Sequence, residues 1–213
     1  MFVRTFTVGP FQENCYLLGD AATRDAVLVD PGDEAGRLIA AIRTEGWTLR
    51  AIWITHGHID HVGAVAELKR TWDVPVYLHP LDRPLYDRVS EQGKLYGLGI
   101  ETPPPPDADL AEGDTMSVGA LRFDVMHVPG HAPGHVAFVG HGVVFGGDCL
   151  FAGSVGRTDL PLSDPRALTR SLERFAALPG ETVVYSGHGP ATTIREECRT
   201  NPFLTGAVRL IAK

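Results

Sequence analysis

The run Thr55-His56-Gly57-His58-Ile59-Asp60-His61 sets three imidazoles and one carboxylate within six residues, directly after the apolar stretch Ala51 to Ile54. In an extended chain, residues two apart project to the same side, so His56 and His58 can close on one ion. Asp60 and His61 stand where the chain turns into a helix and can address a second ion close by. The spacing therefore suits two cations rather than one. The H-E-x-x-H arrangement, with two histidines one helical turn apart, is absent, and a peptidase of that type finds no support.

Three more metal-binding side chains follow predicted strands. Leu121-Arg-Phe-Asp-Val125 alternates like a half-buried strand and leads through His127 to Pro129-Gly130-His131. Val143 to Phe145 leads through Gly146 and Gly147 to Asp148, and Thr182 to Tyr185 leads through Ser186 and Gly187 to His188. Ligands of layered α/β folds bind in the crevice beyond strand ends, so four strand ends deliver these groups to one rim. Imidazole and carboxylate suit zinc, iron or manganese alike, and Asp148 is the natural bridge between two ions. Asp30, in the turn after its strand, is either a partner for a ligand histidine or a turn-stabilising aspartate. His127 and His135 flank the site and are read as packing or hydrogen-bonding residues.

The elements that must position these groups alternate in type. Short β-branched runs such as Ala26 to Val29, Ala51 to Ile54 and Thr182 to Tyr185 are interleaved with helical patterns, which predicts an α/β arrangement of sheets covered by helices. Helices are predicted over 34–45, 62–71, 164–177 and 192–199, the last announced by the capping box Thr193 with Glu196. A final helix is predicted from Asn201 as N-cap, with Pro202 in its first turn, running apolar through Phe203, Leu204, Val208 and Leu210 to Ile211. Pro103 to Pro106 reads as a stiff spacer. The segment 80–106, with Tyr86 and Tyr96, is poor in regular pattern; it either covers the site and shapes its pocket or is a surface excursion packed on the core.

With 213 residues the chain can bury one sizeable core, and residues 1–213 are expected to form one domain. A composition 44% hydrophobic and 21% charged points to neither disorder nor a membrane protein. A formal charge of −7 argues against a nucleic-acid partner, because phosphate binding draws on Lys and Arg. The N-terminal MFVRTFTVGPFQENCYLL alternates and lacks a signal peptide's apolar stretch and cleavage site, so it is read as the first strands. Cys15, Cys149 and Cys198 are odd in number and form no C-x-x-C pair, which indicates neither disulfides nor a cysteine zinc site and fits a reducing cytoplasm. Cys149, beside Asp148, is expected to be buried and inert.

His56-x-His58-x-Asp60-His61, followed by His131, Asp148 and His188, resembles the metallo-β-lactamase superfamily over nearly the whole chain. The resemblance implies an α/β fold, α+β in some schemes, built as a four-layer αββα sandwich with a dinuclear site on its edge. It also implies that His56, His58 and His131 hold one ion and Asp60, His61 and His188 the second, with Asp148 bridging. Two divalent ions are implied, zinc first, with iron or manganese as alternatives.

Within the superfamily, Asn14-Cys-Tyr-Leu-Leu18, Val29-Asp-Pro-Gly32, Gly147-Asp-Cys-Leu-Phe151, Gly153-Ser-Val-Gly-Arg-Thr-Asp159 and Thr200-Asn-Pro-Phe-Leu204 are similar to the short glyoxalase II-like proteins, relatives of hydroxyacylglutathione hydrolase. That similarity implies hydrolysis of a small-molecule thioester such as S-lactoylglutathione by a metal-bridging hydroxide, with Asp60 as the catalytic carboxylate. Longer members carry a C-terminal helical domain that supplies much of the glutathione site, whereas this sequence runs about one short helical hairpin past His188, so a different pocket is expected. Arg157 stands near the basic residue those enzymes use for glutathione, but the aromatic residue expected two positions on is Asp159. Tyr96 is a second candidate substrate contact.

Persulfide dioxygenases resemble the same branch and hold one Fe(II) at the positions of His56, His131 and Asp148. A lactonase or other acyl-bond hydrolase would use the same hydroxide. A non-enzymatic module braced by metal fits less well, because structural zinc sites are usually closed four-ligand cages.

Overall fold

The computed structural model describes residues 1–210. One sheet takes β1 (Phe2–Val8), β2 (Glu13–Gly19), β3 (Asp25–Val29), β4 (Thr48–Trp53), β5 (Val76–Leu78) and β6 (Ala108–Asp109) in chain order. Its first three strands run antiparallel; from β3 onward the neighbours are parallel. The second sheet contains β7 (Thr115–Val118), β8 (Leu121–His127), β9 (Val136–Gly140), β10 (Val143–Gly147), β13 (Val183–Ser186) and β14 (Thr192–Thr193), in the order β14-β13-β10-β9-β8-β7. Between β10 and β13 lies a small hairpin, β11 (Leu150–Phe151) with β12 (Ser154–Val155).

The layering follows from the period of two along each strand. In β3, Ala26 and Leu28 face outward to the helices α1 (Ala35–Thr44) and α3 (Val65–Thr71), where Leu38, Ile42 and Leu68 cover them. Val27 and Val29, one residue along, face the other sheet and meet Phe123, Phe138 and Phe145. In β10 the alternation repeats, since Val143 and Phe145 point between the sheets and Val144 points out to Leu168, Leu172 and Phe175 of α6 (Pro165–Ala176). Strands buried on both faces are why these segments read as unbroken apolar runs. The result is the αββα sandwich, with mixed rather than purely parallel sheets.

The predicted helices at 34–45 and 164–177 appear as α1 and α6, the latter capped by Asp164, whose carboxylate accepts from Arg166 N and Ala167 N. The stretch 62–71 is divided into α2 (Ile59–Val62) and α3, broken at Gly63 and Ala64. The helix predicted over 192–199 begins two residues late, as α7 (Ile194–Thr200), with the Thr193 hydroxyl accepting from Glu196 N. Segment 80–106 holds a 3-10 turn (Pro80–Asp82), α4 (Arg83–Tyr86) and α5 (Val89–Leu95). It is anchored through the fully buried Tyr86 and Val89.

The predicted helix starting at Asn201 is not formed: residues 201–210 are turns and irregular chain, and Ile211 lies outside the described residues. Gly206 adopts a left-handed φ of 78°, which interrupts any helix there. Asn201 instead caps the C-terminus of α7 and spends its amide on the carbonyls of Phe151 and Ser154, tying the β11–β12 hairpin to the second helical layer. No helix among the described residues is long and apolar enough to cross a membrane.

Candidate metal centre

All seven side chains singled out by the sequence meet at one edge of the sandwich. His56, His58 and His131 form one group whose ligand atoms lie within 4.8 Å of one another; His56, His61 and Asp148 form a second, and Asp60, His61 and His188 a third. Asp148 sits at the centre. Its Oδ1 lies 3.4 Å from His61 Nε2, and its Oδ2 lies 3.5 Å from His131 Nε2 and 3.6 Å from His188 Nε2. His188 Nε2 also lies 3.3 Å from Asp60 Oδ2.

Each loop is fixed from behind. Asp30, in a left-handed conformation at φ 51°, accepts from the backbone N and hydroxyl of Thr55 and holds His61 Nδ1 at 3.0 Å. The Arg157 carbonyl fixes His131 Nδ1 at 2.9 Å. Such partners orient the rings so that the opposite nitrogens face inward. Asn14 donates to the carbonyls of Ser186 and Gly189 and Tyr16 donates to Ser186 O at 2.6 Å, so the Asn-Cys-Tyr stretch pins the loop that carries His188.

Burial and charge set the protonation of the cluster. Burial first, and then neighbouring imidazoles, push His56 down and His58 down to about 3, so both rings are neutral. Burial opposes the charged form of His61 as well, but Asp148, Asp60 and Asp30 outweigh it and raise its pKa above the ordinary histidine value. Burial would raise the Asp148 carboxyl, yet His61 and then His131 and His188 hold it well below the usual range.

A metal fits these donors. His56 Nε2, His61 Nε2 and Asp148 Oδ1 are fully buried and have no hydrogen-bond partner, a cost that a folded chain rarely carries without a ligand to satisfy them.

His135 is fully buried, packs its ring 4.7 Å from that of His56 and belongs to none of the three ligand groups, in keeping with a packing role. His127 hydrogen-bonds Pro133 O and stacks on His79. Cys149 is buried and its thiol is pushed up by burial, consistent with an inert residue.

Two buried acids escaped the sequence reading. Glu13, from the start of β2, lies 3.8 Å from His61 Nδ1 behind the cluster. Asp82 accepts from Gly57 N at 2.9 Å and from Gly134 N, clamping the loop of His56 and His58 to the turn after His131. Neither stands in a motif or an obvious periodic position, and only the tertiary fold brings them in.

Burial lifts the Asp82 carboxyl to about 6 against the pull of its two amides. A folded value above the unfolded one means that its contribution to stability is full below about pH 4 and is lost as pH rises through about 6. Asp82→Ala is expected to cost about 2–4 kcal/mol at pH 4.5 in urea unfolding of the metal-free chain, because two buried amides lose their acceptor. The cost should shrink toward pH 7; a cost that grows with pH would contradict this reading.

The cluster floors a cavity of about 460 Å³. Tyr96 and Arg157, the two substrate contacts inferred from sequence, both line it, as do Phe11, Leu85 and Gln92, which the sequence did not reveal.

Comparison with known proteins gives one consistent picture. The profile of the metallo-beta-lactamase superfamily matches residues 8–188. The hydroxyacylglutathione hydrolase GloC of Haemophilus influenzae is 38% identical over 209 residues, covering 96% of this chain and 98% of its own length. Among solved structures, TTHA1623 in a di-iron-bound form superposes with a TM-score of 0.89 at 52% identity, covering 95% of this chain and 100% of that one. ETHE1 from Myxococcus xanthus superposes with a TM-score of 0.79 at 30% identity, covering 97% of this chain and 85% of that one.

Proposed function

The chain belongs to the metallo-beta-lactamase superfamily, and we propose that it works as a single-domain, metal-dependent hydrolase of 2-hydroxyacyl thioesters, with S-lactoylglutathione as the reference substrate. The observation that carries the reading is the convergence of four loops that leave buried, unpartnered imidazole and carboxylate atoms at the floor of one cavity. The 38% identity to a protein named hydroxyacylglutathione hydrolase supports the thioester class. In this reading His56, His58 and His131 hold one divalent cation, Asp60, His61 and His188 hold a second, and Asp148 lies between them. Zinc is the proposed ion; iron is the second reading, favoured by the di-iron form of the 52%-identical structure.

Such a pair of ions, when bound, supplies a water acidified toward neutrality and a positive charge that balances the developing oxyanion. The rest is the work of the chain. Asp60 lines the cavity, and its carboxylate, fixed beside His188, orients the attacking water and accepts its proton. Asp30 and the Arg157 carbonyl keep His61 and His131 from turning away. We assign a small molecule rather than nucleic acid as the partner, since the net charge of −7 does not suit nucleic acid, and place the chain in the cytoplasm, where its free cysteines stay reduced.

Protein loaded with two equivalents of zinc is expected to cleave S-lactoylglutathione without oxygen, releasing one thiol for each acid formed. Oxygen uptake with a persulfide, and no anaerobic thioester cleavage, would overturn the proposal in favour of a mononuclear iron oxygenase.

A further inference from the structure

The cavity above the cluster is walled on one side by α5 and the residues around it. Leu95 is 83% exposed and Tyr96 54% exposed, yet both border this cavity, and Tyr96 meets Phe11 edge-on at 5.0 Å. Leu85 and Leu160 continue the apolar surface. Large apolar side chains left in water around a concave site mark the place where an apolar ligand covers them.

Two polar groups on the same walls are already engaged. Gln92 donates to Leu85 O at 2.7 Å and accepts from Ile59 N at 3.3 Å, which uses both ends of its amide. Arg157 is the one lysine or arginine of the lining among the described residues, and its guanidinium makes a fork to Asp159, Nε to Oδ1 at 2.6 Å and Nη2 to Oδ2 at 2.8 Å. A fork of this kind is the geometry by which arginine would otherwise take a substrate carboxylate. Asp159 therefore offsets the cation and occupies the fork that an anionic substrate arm would otherwise take.

We infer that the thiol half of the substrate is apolar and uncharged, an aliphatic or aromatic thiol seated on Phe11, Leu95 and Tyr96, rather than the dicarboxylate peptide glutathione. The inference rests on the thioesterase reading and narrows its substrate class. The reaction is the same: the water oxygen joins the acyl carbon, the carbon–sulfur bond breaks, and the sulfur leaves with the electron pair and takes up a proton. The products are a 2-hydroxy acid and an apolar thiol.

The test compares the lactoyl thioesters of benzyl mercaptan and of glutathione on zinc-loaded protein, together with calorimetric binding of the two corresponding non-hydrolysable thioethers. The benzyl ester should be preferred in kcat/KM by at least about tenfold, the worth of roughly two buried methylenes, and the benzyl thioether should bind tighter. Tyr96→Ala should raise KM for the benzyl ester several-fold more than for the glutathione ester. Asp159→Ala, which frees Arg157, should shift the ratio at least about fivefold toward glutathione. Tighter binding or faster cleavage of the glutathione compound by the unaltered chain would overturn the inference and leave the thioesterase reading standing. Preferential binding of the benzyl thioether with neither ester cleaved would support the apolar arm and overturn the thioesterase reading instead.

Discussion

Asp148→Ala should lower kcat/KM for thioester hydrolysis by at least about three orders of magnitude while the far-ultraviolet circular dichroism stays that of the parent. The Asp148 carboxylate faces His61, His131 and His188 within 3.6 Å and joins what would otherwise be two separate ligand groups. Its pKa is set by that surrounding positive potential, which overcomes the burial that would raise it, so it stays ionised across the neutral range. Without it, three imidazoles lose their shared counter-charge, and the two proposed cations would lose a common ligand. The strand that precedes it, β10, is held by β9 and β13 and does not depend on this side chain. Wild-type turnover in Asp148→Ala would show that the bridge has no part in the chemistry.

A second large effect is expected from a residue with no functional group at all. A Cβ built at Gly187 would collide with Asp148 Oδ1 and with His61 Cε1. Both neighbours are held in a packed cluster, His61 without any exposure, so neither can step aside cheaply. Gly187→Ala is therefore expected to push the cluster apart by about an ångström and to cost about a hundredfold in kcat/KM, the effect of misplacing reacting groups by that distance. Gly36→Ala, where a new Cβ would meet nothing within 4 Å, is the matched control and should leave activity unaltered. Equal activity of the two variants would refute the close packing of the His188 loop on the bridging carboxylate.

The candidate ligands were legible because metal binding leaves its mark in local spacing. His56, His58, Asp60 and His61 lie on one short turn, and His131, Asp148 and His188 each follow an apolar run that had to be a strand. The sandwich was legible for a related reason, since strands buried on both faces, such as β3 and β10, read as short unbroken apolar runs. Asp30 was half legible: its place after β3 was clear, but whether it served a turn or a ligand was decided only by its contacts with Thr55 and His61. Asp82 and Glu13 were not legible, because each acts on loops far away in sequence. The tail after Asn201 shows the reverse error. Its apolar spacing read as a helix, but Gly206 breaks the run, while Phe203 and Leu204 pack on the outer core as turns.

The substrate walls divide in the same way. Arg157 and Asp159 are two residues apart, and their types were visible at once, but the fork that couples them is a matter of side-chain direction. Phe11 and Leu85 enter from opposite ends of the first half of the chain and become neighbours only around the cavity.

The ion content of the chain is the most direct test of a paired cation site. Protein saturated with zinc, freed of excess by gel filtration and assayed by elemental analysis against an amino-acid count, should carry two ions per chain. A chain that retains none, or that binds zinc equally well after His58, Asp60 and Asp148 are all replaced by alanine, would contradict it.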